Sequence, residues 1–273
     1  MWQEMWSYLH SWFRYPHVEW DMILIGIGLA LAFTAFWLAG HWPPLFRKHW
    51  LWGVAVFSAF FTVLAIVFIQ LPLQIWIEDA AVDIWYPASG WWLLITVPHL
   101  LARGLVQEGA RMVPIVFWWW RSGKSITPRM AMAIGAVAGA GFGIFDATHV
   151  HLQTFGGGWT WELYGTSGFE AIAGFWDAFF NTGFYMAVSA LIGYGLARGK
   201  GWQFYLIGAG LHIIYFYRRV LLQAEYLTVV QAEVYAAVFN VILTAVVLLW
   251  FKRRSRPEAD IMVAADRPAE TES

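Results

Sequence analysis

The chain has no cysteine. That excludes disulfides, thiolate catalysis, iron–sulfur ligation and cysteine-based zinc sites in one step. Charge is also scarce: 13% of the 273 residues are Asp, Glu, Lys or Arg, against about a quarter in an average soluble domain. The start, "MWQEMWSYLHSWFRYPHVEW", lacks the basic n-region and short apolar core of a cleavable signal peptide. The sequence has no internal repeat and no HExxH metal motif. Net charge is −1, and its distribution carries more information than its value. No nucleic-acid partner is expected.

What remains is apolar. Hydrophobic residues make up 60% of the chain and fall in long blocks, each of about the 20 residues that a membrane-spanning helix needs. The reading is therefore an all-α, polytopic membrane helical bundle. Twenty Trp residues fit it, because the indole ring favours the headgroup interface. About seven spans are expected, near Trp20–Gly40, Leu51–Gln70, Trp91–Trp120, Met130–Leu152, Phe169–Ala197, Trp202–Leu222 and Thr228–Phe251. Residues 1–19 read as an interfacial amphipathic segment, 20–251 as the bundle, and 252–273 as a disordered polar tail whose basic start suits anionic lipid.

Basic residues fall on alternate sides of these spans. Arg47 and Lys48, then Arg121, Lys124 and Arg129, then Arg198 and Lys200, then Lys252, Arg253, Arg254 and Arg256 follow the odd-numbered ones. The opposite loops carry Glu78, Asp79, Asp83 and Glu162 with no Lys or Arg. Positive-inside bias then puts the N-terminus outside and the C-terminus in the cytoplasm, in a prokaryotic cytoplasmic membrane. Arg218 and Arg219, near the outer end of the sixth span, are discordant.

Inside this oily frame stands "GLVQEGARMVP", with Gln107, Glu108 and Arg111. A charge at mid-bilayer costs about 2.5–3.5 kcal/mol on insertion scales, so such residues face a protein interior or water. His99, Arg103, Gln107 and Arg111 are spaced by four and form one stripe, and Glu108 lies three residues before Arg111. A structural ion pair between them is the bland alternative to function. Other spans supply further polar groups. "GAVAGAGFGIFDATHVH" carries Gly135, Gly139 and Gly143 as a small-residue face, then Asp146 and His149. Asp177 and Asn181 share a stripe with Glu170; His212 and Tyr215 lie one turn apart; Glu233 and Asn240 lie in the last span. Glu170, Glu233 and His151 are expected near the interface, where charge is cheap. The others could line a cavity entered from outside and narrowing toward Glu108.

These stretches resemble a known family. "VQEGARM" resembles the EExxK/R motif of the PrsW-type intramembrane proteases, of the same superfamily as the CAAX-type prenyl-protein endopeptidases. "GAGFGIFDATH" resembles the second motif, in which an acid or His follows Phe by four; Phe142 to Asp146 and Phe145 to His149 both fit. "FFNTGFYMAVSALIGYGLARG" and "GAGLHIIYF" are similar to the later helices. The match runs from about Trp91 to Tyr217 and departs from the pattern at Gln107, Asp146, Asn181 and Phe216. The resemblance implies an intramembrane endopeptidase without cofactor or metal, acting on a membrane-embedded peptide in contact with lipid. Glu108 would activate water, tuned by Arg111, with Asp146 in the second motif. His149 or His212 would protonate the leaving nitrogen, and Asn181 would bind the oxyanion.

Other classes stay open on the residues alone. "GTSG", Gly165 to Gly168, fits a rhomboid-type serine site with His212 as base. His149 and His212 could ligate haem, and Glu108, Asp146, His149 and His212 a metal. A relative that binds membrane peptides, lipid or a cofactor without cutting would explain the departures at Gln107 and Phe216.

Overall fold

The computed structural model describes residues 2–15, 17–81 and 92–253. Asp83, Trp91 and the tail from Arg254 on lie outside the described residues. Every regular element described is helical: α1 (Trp2–Ser11), α2 (Trp20–His41), α3 (Trp50–Ala80), α4 (Trp92–Arg121), α5 (Pro128–Gly156), α6 (Trp161–Ser167), α7 (Ala173–Ala197), α8 (Gly201–Gln223) and α9 (Val229–Ala245).

Local chemistry sets several boundaries. α5 begins where the Thr127 side chain accepts from Met130 N–H at 3.2 Å, with Pro128 in the first turn. α9 begins with a capping box between Thr228 and Gln231. α2 stops at Trp42, whose φ of 48° is left-handed. α3 widens into a π-helical turn at Ile66–Gln70, directly before Pro72, which has no N–H to continue the i→i−4 ladder. α4 continues through both Pro98 and Pro114.

Four helices are long and apolar enough to cross a membrane: Trp20–His41, Trp50–Ala80, Pro128–Gly156 and Val229–Leu249. They point to an integral membrane protein. The expected count of seven is thus reduced to four on apolar length alone. The reason is visible in α4, whose Arg103, Glu108 and Arg111 dilute its hydropathy. The outer faces of α2, α3 and α9 expose large apolar side chains, among them Leu24, Leu31, Phe36, Phe57, Phe60, Val238 and Ile242. An apolar outside, with charged groups such as Glu108, Arg111 and Arg218 buried within an otherwise apolar core, differs from the usual arrangement of a water-soluble domain.

α7 is the axis of the bundle. Every residue from Phe180 to Leu196 is buried, so this stretch of the helix has no solvent or lipid face. Its closest partner is α5, and the small-residue face read from the sequence is the reason. At Gly139 an added Cβ would collide with the Tyr185 carbonyl and the Met186 backbone. Gly135 meets Ser189 and Gly143 meets Thr182 on the same seam.

Candidate functional site

α4 and α8 meet at Gly104, where an added Cβ would press on the Ala209 carbonyl and the His212 β-carbon. This close approach lets α4 present Arg103, Glu108 and Arg111 to α8 and α7. Glu108, Arg111 and His212 are fully buried. One Glu108 oxygen, Oε1, accepts from Arg111 Nη2 and lies 3.0 Å from His212 Nδ1. The Arg111 guanidinium rests over the Tyr185 ring at 4.6 Å and the Phe142 ring at 5.2 Å. The His212 ring stacks on Phe216 at 4.5 Å between centroids. Among the described residues, Glu108 Oε2, His212 Nε2 and Arg111 Nε and Nη1 have no hydrogen-bond partner. The result is a carboxylate held on one oxygen by a guanidinium and an imidazole, its second oxygen uncommitted.

The other expected residues divide among three places. Asp146 accepts from the Tyr185 hydroxyl at 3.1 Å. Because the Tyr185 ring also lies under Arg111, Asp146 joins the Glu108 group through one aromatic side chain. His149 belongs elsewhere. Its Nδ1 is 2.5 Å from the Tyr15 hydroxyl, and its ring stacks on Trp12 at 4.1 Å. Burial raises the Tyr15 phenol above its usual range, so its hydroxyl stays protonated beside the imidazole. The segment after α1 thus caps His149.

Asn181 is committed to a second polar cluster. Its Nδ2 donates to Asp177 Oδ2 at 3.0 Å, and its Oδ1 accepts from Tyr215 Oη at 3.1 Å and from Arg218 Nη2 at 3.2 Å. Asp177 also accepts from Arg218 and Arg219, one on each oxygen. That explains the discordant arginines: they answer a carboxylate inside the bundle and do not form a basic loop.

A third polar chain runs between α3 and α4. Gln107 donates to Gln70 at 3.0 Å, Gln70 to Gln74 at 3.0 Å, and Gln74 Nε2 lies 3.2 Å from His99 Nδ1. His99 Nε2 reaches the exposed Glu78 at 3.0 Å. Gln70, in the π-helical turn, is the link.

Several expectations change. His151 and Glu233 are covered by neighbouring helices; His151 Nδ1 is 2.9 Å from the Gly26 carbonyl. Glu170 is exposed. Ser167 is exposed on the short α6, whereas His212 is fully buried, so the two form no serine dyad. Glu108, Asp146, His149 and His212 do not assemble as one metal site: among the described residues no three His, Asp or Glu side chains gather as ligands. His149 and His212 are engaged by different partners and do not form a haem pair. Tyr185 and Phe216 were not singled out as site residues. No sequence signal marks Tyr185, because the glycine face announces a close helix without naming which one.

Compared with family models, with curated proteins and with solved structures, the chain matches none.

Proposed function

We propose that this protein is a membrane-embedded hydrolase that cleaves a peptide bond within a membrane segment, with Glu108 as the group that holds and deprotonates water. The observation that carries the reading is the buried Glu108–Arg111–His212 group, in which one carboxylate oxygen is fixed and the other uncommitted. A carboxylate beside an imidazole in a low-dielectric interior has the two functions that amide hydrolysis needs. Glu108 takes the proton of the attacking water, and His212 directs it to the departing nitrogen. We further propose that α4, α7 and α8 cross the membrane beside the four apolar helices, with the N-terminus outside and the C-terminus in the cytoplasm. Inward-facing charges on α4 and the burial of Phe180 to Leu196 in α7 support the added crossings, and the alternation of basic loops supports the orientation.

A second reading is favoured by one observation. Phe216 stacks on His212 where the resembled motif carries a polar residue. A protein that holds membrane peptides or lipid without cutting is therefore the alternative.

The test compares cells expressing the wild type and Glu108→Gln by profiling new N-termini in their membrane proteins. The reading expects cleavages inside apolar segments that disappear in Glu108→Gln while the variant accumulates normally. Identical profiles, with both proteins folded by gel filtration, would leave the non-cleaving alternative.

A further inference from the structure

Among the arginines drawn into the bundle, Arg103 differs. Arg111 donates to Glu108, and Arg218 and Arg219 donate to Asp177. Arg103 makes no ion pair among the described residues, and its Nε is buried without a hydrogen-bond partner. Its guanidinium lies 4.2 Å over the Phe216 ring. Arg219 lies 5.1 Å and Arg218 5.5 Å from the same ring. Three guanidiniums thus surround one phenyl group, while a single carboxylate, Asp177, answers two of them. Asp146 is near enough for the Arg103 and Arg219 charges to act on it, but it takes its hydrogen bond from Tyr185.

Arg103 is eleven residues into α4, about 16 Å along its axis at 1.5 Å per residue. Arg103 is half-buried; the aromatic face gives it at most about 2 kcal/mol, and it shares the Asp146 charge with Arg219 without an ion-pair contact, so a charge deficit remains on its exposed donors. Phe216 also touches His212, so the free cation adjoins the Glu108 group.

We infer that Arg103, which lies on the face of Phe216 beside His212, is an anion seat whose outward donors receive a carboxylate borne on an apolar chain. This deepens the hydrolase reading and rests on it in naming the substrate class: membrane peptides with a carboxylate near the bond that is cut. The planar guanidinium can give a carboxylate two parallel N–H donors, which Lys cannot.

The test is binding, so it does not depend on cleavage. Nitroxide-labelled stearate and its methyl ester are added to the protein in lipid nanodiscs, and the immobilised fraction is read by electron paramagnetic resonance. Competitors are apolar peptides of about 20 residues ending in a free carboxylate or in an amide. The acid is expected to be immobilised and the ester not, and the carboxylate peptide is expected to compete while its amide does not. Arg103→Gln should weaken acid binding about tenfold or more, the loss of one charge-assisted interaction, and Arg103→Lys should restore part of it. Ser167→Ala, away from the seat, should leave binding unchanged, and Glu108→Gln should end cleavage while acid binding persists or tightens as a neighbouring negative charge is removed, which separates this inference from the hydrolase reading. Equal binding of acid and ester, or equal binding to wild type and a folded Arg103→Gln, overturns it. If only the fatty acid binds and neither peptide competes, the ligand is a lipid carboxylate and the peptide assignment falls.

Discussion

His212 Nδ1 stands 3.0 Å from the Glu108 oxygen that Arg111 also holds, with all three side chains removed from solvent. Removing the cation alone leaves a buried charge uncompensated. Arg111→Leu should therefore cost about 3–5 kcal/mol of stability, measured by denaturant titration in mixed micelles. Glu108→Leu/Arg111→Leu together should recover most of that loss, because neither charge remains. A double variant as unstable as the single one would assign the loss to the packing of Arg111 on Tyr185 and Phe142.

The α5–α7 seam makes a separate demand. At Gly139 even a methyl group would meet the Tyr185 carbonyl. Gly139→Ala should cost at least about 1–3 kcal/mol as the helices separate, and Gly139→Leu should abolish the folded peak in detergent gel filtration. Gly165, with nothing within 4 Å of an added Cβ, is the control. Gly165→Ala should be neutral or slightly stabilising, since Ala is the better helix former.

Ser167 is exposed and α6 is short. Ser167→Ala should leave any cleavage unchanged, and a fluorophosphonate probe should not label the folded protein. Covalent labelling at Ser167, assigned by mass spectrometry, would reopen the serine route.

The absence of cysteine makes orientation directly measurable. Ser125, in the connection before α5, and Ser167, at the end of α6, are both exposed and flank the two ends of α5. Single Ser125→Cys and Ser167→Cys variants should react with a membrane-impermeant maleimide from opposite faces, Ser167→Cys from outside the intact cell. Labelling of both from one side would contradict the proposed crossing of α5.

What could be read in advance, and what could not, follows from helix geometry. Glu108 and Arg111 are three apart on one helix, so their pairing needed no tertiary knowledge. The glycines at 135, 139 and 143 announced a close helix contact, because no other residue permits that spacing of backbones. The rotation of α7 was not readable. A helix buried on every side has no apolar stripe to fix its phase, so nothing indicated that Asn181 would turn to Asp177 and Arg218 while Tyr185 turned to Asp146 and Arg111. The burial of His151 and Glu233 was unreadable for a related reason: position along a span bears on depth, but which neighbouring helix covers a side chain depends on rotation.

The π-helical turn at Ile66–Gln70 inserts an extra residue into the winding of α3. Each residue advances a helix by about 100°. Closing this turn as ordinary α-helix with every residue kept would swing Leu71–Ala80 by about that angle. Gln74 would leave His99, Glu78 would face another quarter, and the amide chain ending at Gln107 would be cut in its middle. The phase of the upper half of α3 is thus stored in a single surplus residue.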